Sequence, residues 1–251
     1  MLDPVFLRPI AHRGLHDAAK GVIENTPTAF EAAIAKGYAI ECDLVAAAGG
    51  LPVVFHDDTL DRLTEESGVV ANLGTDDLSR IRFKGSSATG IPTFAEVLEL
   101  CGPRVPLVVE IKSTWRPPHP AFLREIARLA LNHDGPIALM SFDPALMAAL
   151  AHLAPAIPRG IVSGSYREAD GTPWWPELSG WRTFCLRNLL EDRGAPPDFY
   201  AYEIGALPTF ATRFARSVRR RPVLTWTVRT EADRTRAAHH ADAPIFEGYE
   251  P

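Results

Sequence analysis

Residues 106–112 read PLVVEIK: a proline, an apolar run, then an acid and a lysine. Proline is tolerated at the first residue of a β-strand, where its missing N–H costs no ladder hydrogen bond. The stretch therefore reads as a strand entered through proline and left through charge. The same arrangement recurs along the chain. Pro9, Pro136, Pro158, Pro222 and Pro244 stand before IAH, IALMSF, RGIVS, VLTWTV and IFEG. YAIECDL, entered through Gly37, and DFYAYEI, which follows Pro196 and Pro197, complete a set of eight. Between these runs lie helical patterns. TPTAFEAAIAKG has Pro27 suited to a first helical turn and Gly37 to the stop, and PAFLREIARLALN and DPALMAALAHLAP follow the same scheme. Strand and helix alternating eight times over 251 residues predicts an α/β chain of the (β/α)8 TIM-barrel class. A doubly wound open sheet would need a glycine-rich phosphate turn after its first strand, and HRGLHD is not GxGxxG.

The rhythm breaks once. From about Leu51 to Pro92 the sequence is turn-rich and too long for a plain connection. Following the second strand, it is expected on the C-terminal rim, the functional face of this fold. The expected organisation is a single domain over residues 1–251 with a rim insertion at about 58–91.

Composition narrows the function classes. A net charge of −5 gives no basic footprint for a phosphate backbone, so a nucleic-acid partner is disfavoured. No uncharged stretch approaches the roughly 18 apolar residues of a membrane span, and MLDPVFLRP carries an acid where a signal peptide has its basic region. The three cysteines, Cys42, Cys101 and Cys185, are scattered, odd in number and without metal-type spacing, which suits buried spectators in a reducing compartment. The expectation is a soluble, cytoplasmic protein without stable membrane insertion; its oligomeric state is not encoded legibly.

The strand ends carry the chemistry. In YAIECDL, Glu41 and Asp43 are two apart and share a face; in LVVEIK so do Glu110 and Lys112. Three carboxylates converging in a barrel mouth must protonate or recruit a cation, and oxygen ligands suit a hard divalent ion, Mg²⁺ or Ca²⁺. The alternative is structural pairing of these acids with lysines and arginines. His12 ends the first strand and His56 ends LPVVFHDD, so two imidazoles reach the rim beside the acids, where an ordinary pKa of about 6.5 suits both acid and base roles. Gly14 permits the sharp turn that lets His12 and Arg13 face one mouth.

AHRG, ENTPTAF, IECDL, VVFHDDTLDRLT, IPTFAEVL, VVEIK and TWTV occur in an order and spacing that resemble the glycerophosphodiester phosphodiesterase family. The resemblance covers nearly the whole chain and implies a (β/α)8 barrel with a small insertion after the second strand. It implies His12 and His56 as general acid and base, Glu41, Asp43 and Glu110 as ligands of one divalent cation, and Arg13 and Lys112 as phosphate contacts. It also implies Asn25 as a supporting polar residue and Trp226 as an aromatic near the substrate. The activity so implied is metal-dependent hydrolysis of a small glycerophosphodiester to glycerol 3-phosphate and an alcohol. The end of the chain departs from the family pattern: IFEGYEP stands where many members read something like ITDYP, leaving Glu247 unassigned. A lyase that forms a cyclic phosphate and a non-catalytic phosphodiester-binding barrel remain as alternatives. Elsewhere, SVRRRP (217–222) reads as a solvated helix end, with attraction for phospholipid head groups the lesser reading. Trp174 and Trp175 read either as lining an access loop or as packing beneath it.

Overall fold

The structure, a computed structural model, describes residues 2–251. In chain order the strands are β1 (Ile10–Ala11), β2 (Ala39–Ala46), β3 (Pro52–Val54), β4 (Leu107–Ile111), β5 (Ile137–Ser141), β6 (Arg159–Ser163), β7 (Phe199–Glu203), β8 (Val223–Val228) and β9 (Ala243–Phe246). The helices are α1 (Pro27–Ala35), α2 (Thr75–Leu78), α3 (Phe94–Cys101), α4 (Pro120–Leu131), α5 (Pro144–Leu153), α6 (Gly180–Arg187), α7 (Phe210–Ser217) and α8 (Glu231–His240). Eight strands run parallel, and β1 closes the barrel by pairing with β2 on one side and β9 on the other. The fold is a (β/α)8 barrel. The ninth strand, β3, pairs antiparallel with the outer half of β2.

The proline-entered strands explain their own stability. Pro9, Pro106, Pro136, Pro158 and Pro222 lack an N–H to donate, but each carbonyl accepts from the neighbouring strand, as in Ile40 N to Pro106 O at 2.9 Å and Leu107 N to Pro136 O at 2.9 Å. Pro244 departs from the expected placement. It sits inside β9, opposite Thr225, beside a bulge where β8 slips register before Val228 pairs with Phe246. A proline inside a strand is compatible with a bulge because the ladder is already interrupted there.

Alternation along each strand divides the core in two. Ile40, Cys42 and Leu44 pack outward with Phe30 and Phe94 of the helices, whereas Ala39, Val108, Ala138, Ala201 and Leu224 fill the barrel. Phe199 is the large inner side chain of β7, and Gly160 makes room for it. A Cβ on Gly160 would meet the Phe199 ring at 2.3 Å. Leu2 and Phe6, around the turn at Pro4–Phe6, join the inner cluster and stopper the end where the strands begin. With its lower layers apolar, the barrel can carry charge only where the strands end. Cys42 and Cys101 are buried and Cys185 half-buried, all three free; burial pushes the Cys101 thiol up to about 12.

Between β3 and α3 the chain forms a third apolar cluster, in which Leu60, Val70, Leu78, Ile81 and Phe83 pack on Val45 and Val53. Phe55 N donates to the Asp43 carbonyl at 3.1 Å, so the antiparallel return of β3 brings His56 back to the end of β2. Among the described residues, no helix is long and apolar enough to cross a membrane.

Candidate active site

Asp43 and Glu110 stand directly opposite each other in the β2–β4 register, and both point into the mouth. Glu41, one inward position lower on β2, completes a set whose carboxylate oxygens lie within 4.8 Å of one another. Glu41 and Asp43 are each 1% exposed. Lys112, just past the end of β4, bridges two of the three, with Nζ 2.8 Å from Asp43 Oδ1 and 2.7 Å from Glu110 Oε1. Arg13 Nε stands 3.1 Å from Asp43 Oδ2, and Asn25 Nδ2 donates to the same oxygen at 2.9 Å.

These contacts divide the acids. Burial works to raise the Asp43 carboxyl, but Lys112 and Arg13 overcome it and hold Asp43 well below the usual carboxylate range. Glu41 receives one hydrogen bond, from the Arg13 backbone N–H at 3.1 Å, and His12 Nε2 stands 3.9 Å away. Burial, together with the charges of Asp43 and Glu110, pushes Glu41 well above its ordinary value. A buried carboxylate beside two others, without a side-chain cation of its own, is a place for either a proton or a metal ion. Three carboxylate oxygen donors fit a hard divalent cation.

The turn after β1 aims His12 and Arg13. Arg13 adopts a left-handed backbone, φ 55°, as does Asn25, φ 58°. The conformation is disfavoured for side chains with a Cβ and is held by the bonds from Arg13 N to Glu41 and from Asn25 N to Arg13 O at 2.9 Å. Gly14 follows at φ 81°, where a Cβ would lie 2.8 Å from the Ala29 carbonyl carbon. Glycine alone permits that approach of the turn to α1.

Each histidine is anchored through Nδ1 to a carboxylate. His12 Nδ1 lies 2.7 Å from Glu247 Oε2, and His56 Nδ1 lies 2.6 Å from Asp57 Oδ1. An ionised carboxylate only accepts, so Nδ1 carries a hydrogen in both rings, and Nε2 is left as the atom through which each ring can take or give a proton. Burial opposes ionisation of Glu247, but its bonds to His12 and Arg229 hold its carboxyl at about 2. Burial lowers the His12 pKa, which Glu247 only partly offsets. Asp57 is gripped by Arg62, whose Nε donates to Oδ2 at 2.6 Å; Arg62 also bonds Glu24, which in turn accepts from Arg13 at 2.6 Å. Glu24 thereby ties the insertion to the first turn.

His12, His56, Arg13, Lys112, Glu41, Glu110 and Trp226 line one cavity of about 240 Å³, with Asp43 and Asn25 buried beneath it. The opposite wall is aromatic. Phe142, after β5, touches Trp175 and Trp226 edge-on at centroid distances of 5.0 and 5.5 Å, and Trp174 lies 6.0 Å from Trp226. Trp174 and Trp175 are thus packed behind the cavity wall, in keeping with the packing reading of their loop. Glu247, Glu24, Asp57, Arg62 and Arg229 went unassigned in the sequence. The available signals were adjacency, Asp57 beside His56 and Glu24 beside Asn25; Glu247 lies 235 positions from the histidine it holds.

Residues 12–243 match the model of the Glycerophosphoryl diester phosphodiesterase family. The chain is 41% identical over 112 residues to a glycerophosphodiester phosphodiesterase of Caldanaerobacter subterraneus subsp. tengcongensis, covering 41% of this chain and 44% of that one. It is 30% identical over 166 residues to the Bacillus altitudinis glycerophosphodiester phosphodiesterase, covering 61% and 65%. The matches therefore span less than two thirds of either relative. Among solved structures, an Oleispira antarctica phosphodiesterase in complex with the product sn-glycerol-3-phosphate superposes with a TM-score of 0.71 at 20% identity, over 95% of this chain and 92% of that one. A Thermotoga maritima glycerophosphodiester phosphodiesterase gives a TM-score of 0.70 at 19% identity, over 96% and 93%. Both share the barrel.

Proposed function

The chain belongs to the glycerophosphoryl diester phosphodiesterase family, and from that premise we propose that it hydrolyses small glycerophosphodiesters to glycerol 3-phosphate and an alcohol. The observation that carries this reading is the meeting of two carboxylate-anchored imidazoles, a carboxylate triad and two cations around a single cavity. Glu41, Asp43 and Glu110 would hold one divalent cation, Mg²⁺ or Ca²⁺. Bound there, it would supply Lewis-acid stabilisation of charge developing on phosphoryl oxygens.

Arg13 and Lys112 bind the phosphodiester and compensate the negative charge that grows on it. Burial opposes the charge on Lys112, but Asp43 and Glu110 raise its pKa and keep it cationic. His12 takes the base role, accepting at Nε2 a proton from the attacking hydroxyl, whether of water or of the glycerol itself; attack by the glycerol gives a cyclic ester, which water then opens with the two histidine roles exchanged. Support comes from its burial, at 11% side-chain exposure against 31% for His56, and from the neutral form that burial favours. His56, beside the insertion, takes the acid role: entering the step protonated on both ring nitrogens, it delivers its Nε2 proton to the departing oxygen as the P–O bond to the alcohol breaks. Asn25 steadies Asp43, and Trp226 packs against the substrate. Residues 58–91 act as a rim element of the single domain, and the free cysteines suit a cytoplasmic location.

Phosphorus NMR of a glycerophosphodiester panel with each metal tests this reading. Glycerol phosphate is the expected product. A persistent cyclic ester would mean lyase chemistry instead, and no turnover with any metal would leave a binding protein.

A further inference from the structure

Helices α6 and α7 turn large rings outward. Phe210 is 85% exposed and Trp181 73% exposed, and each stacks on a second exposed ring of its own helix, Phe214 at 6.2 Å and Phe184 at 5.5 Å. Between the helices runs an apolar groove of about 290 Å³, which Leu190 also lines. Such a surface on a folded domain marks an interaction site.

Its charge runs against that of the whole. The chain carries −5, yet residues 180–221 hold eight arginines and four acids. Arg187, Arg213, Arg219 and Arg220 are exposed, and none makes an ion pair with a carboxylate among the described residues. Arg219 lies over the Phe214 ring, its guanidinium 5.6 Å from the centroid. Two of these arginines belong to the SVRRRP stretch.

We propose that this α6–α7 flank docks peripherally on an anionic lipid surface, with the rings entering the head-group region and the arginines pairing with lipid phosphates and carboxylates. Aromatic residues beside unpaired cations are the chemistry of an interfacial contact. A second copy fits less well. A two-fold contact sets a patch against itself, so the four arginines of one protomer would meet those of the other. Trp181 and Phe210 lie at the starts of their helices and Arg187, Arg219 and Arg220 at or just past the ends, so the patch runs along the flank of the barrel.

The test is flotation of the full chain with vesicles of phosphatidylcholine alone or with about one third phosphatidylserine. Binding should require phosphatidylserine and weaken with salt. Arg219→Gln with Arg220→Gln should lower partitioning roughly 25-fold, at about fivefold per basic residue near such a surface, and separately Trp181→Ser with Phe210→Ser should lower it roughly tenfold through lost apolar burial. A vesicle-induced blue shift in tryptophan fluorescence should vanish in Trp181→Phe. Turnover of a soluble p-nitrophenyl phosphodiester should be unchanged in every variant, since none of these residues touches the cavity. Flotation needs no turnover, so the docking and catalytic readings fail separately. Equal binding to both vesicle types, no binding, or binding indifferent to both double variants would overturn the proposal. A dimer in light scattering that Phe210→Ser dissolves would assign the patch to a second copy, and tighter binding to polyglutamate than to vesicles would assign it to an acidic protein.

Discussion

On one side of the barrel mouth, β1, β2 and β4 press three carboxylates, a lysine and an arginine into mutual contact. On the other, β5, β8 and the loop after β6 supply rings that meet at centroid distances of 5.0 to 6.2 Å. The charged half is determined by directional bonds, and removing any atom leaves a partner charge buried without compensation. The aromatic half is held by contact area and edge-to-face preference, which degrade gradually. One half therefore tolerates almost no substitution, and the other is where specificity can drift.

Metal removal and loss of a histidine should break the charged half most severely. Chelation is expected to abolish turnover while circular dichroism reports a folded barrel; full activity in excess chelator would exclude the metal ligands proposed. His12→Ala should lower kcat by about 10²- to 10⁴-fold on a natural diester. His56→Ala should do likewise, but lose far less on a p-nitrophenyl ester, whose leaving group needs little protonation. Equal losses of His56→Ala on both substrates would refute its acid role.

Next in size is Lys112→Met, which leaves Glu110 without its cation, opposite an Asp43 that keeps only Arg13. Beyond lost activity, it should cost about 3 kcal/mol of stability in metal-free urea denaturation, with much of that returned by the divalent cation. No return would mean that the triad does not take up metal.

Glu247→Gln should have a smaller effect, lowering kcat about tenfold through a less well-held His12. It also has a pH signature. A carboxyl held at about 2 in the folded chain, against an ordinary 4.5, contributes stability above pH 4.5 that disappears as pH falls towards 2. The stability difference between the native chain and Glu247→Gln should close across that window, attenuated by solvent at this partly exposed site. A difference independent of pH would show that His12 and Arg229 do not hold Glu247 as a carboxylate. The smallest effect is expected from Trp226→Leu: a few-fold change in KM that varies with the leaving alcohol, with kcat on p-nitrophenyl esters nearly intact. A collapse in kcat would move Trp226 into the chemistry.

The barrel was legible because its signals are local. A proline before an apolar run, and alternation that sets Glu41 with Asp43, are written within seven or eight residues. The short run PVV was not legible as β3, since three apolar residues do not specify a partner or a direction. Pro244 misled because a strand-entering proline and a proline at a bulge look alike until the neighbouring register is known. The residues that hold His12, His56 and Arg13 in place come from distant segments, and no spacing rule links Glu24 to Arg62 or Glu247 to His12. The outward rings of α6 and α7 were equally hidden, because a ring at helical spacing reads as core until its surroundings are seen.

The bond between His12 and Glu247 joins residues 235 positions apart and forms across the seam where β9 closes against β1. The first strand is made early on the ribosome, yet His12 has no anchor until β9 arrives. Competence for proton transfer thus becomes a timestamp of completed barrel closure. In refolding from urea, activity should return with the slowest structural phase and never ahead of it; earlier recovery would mean that His12 finds its orientation without the seam.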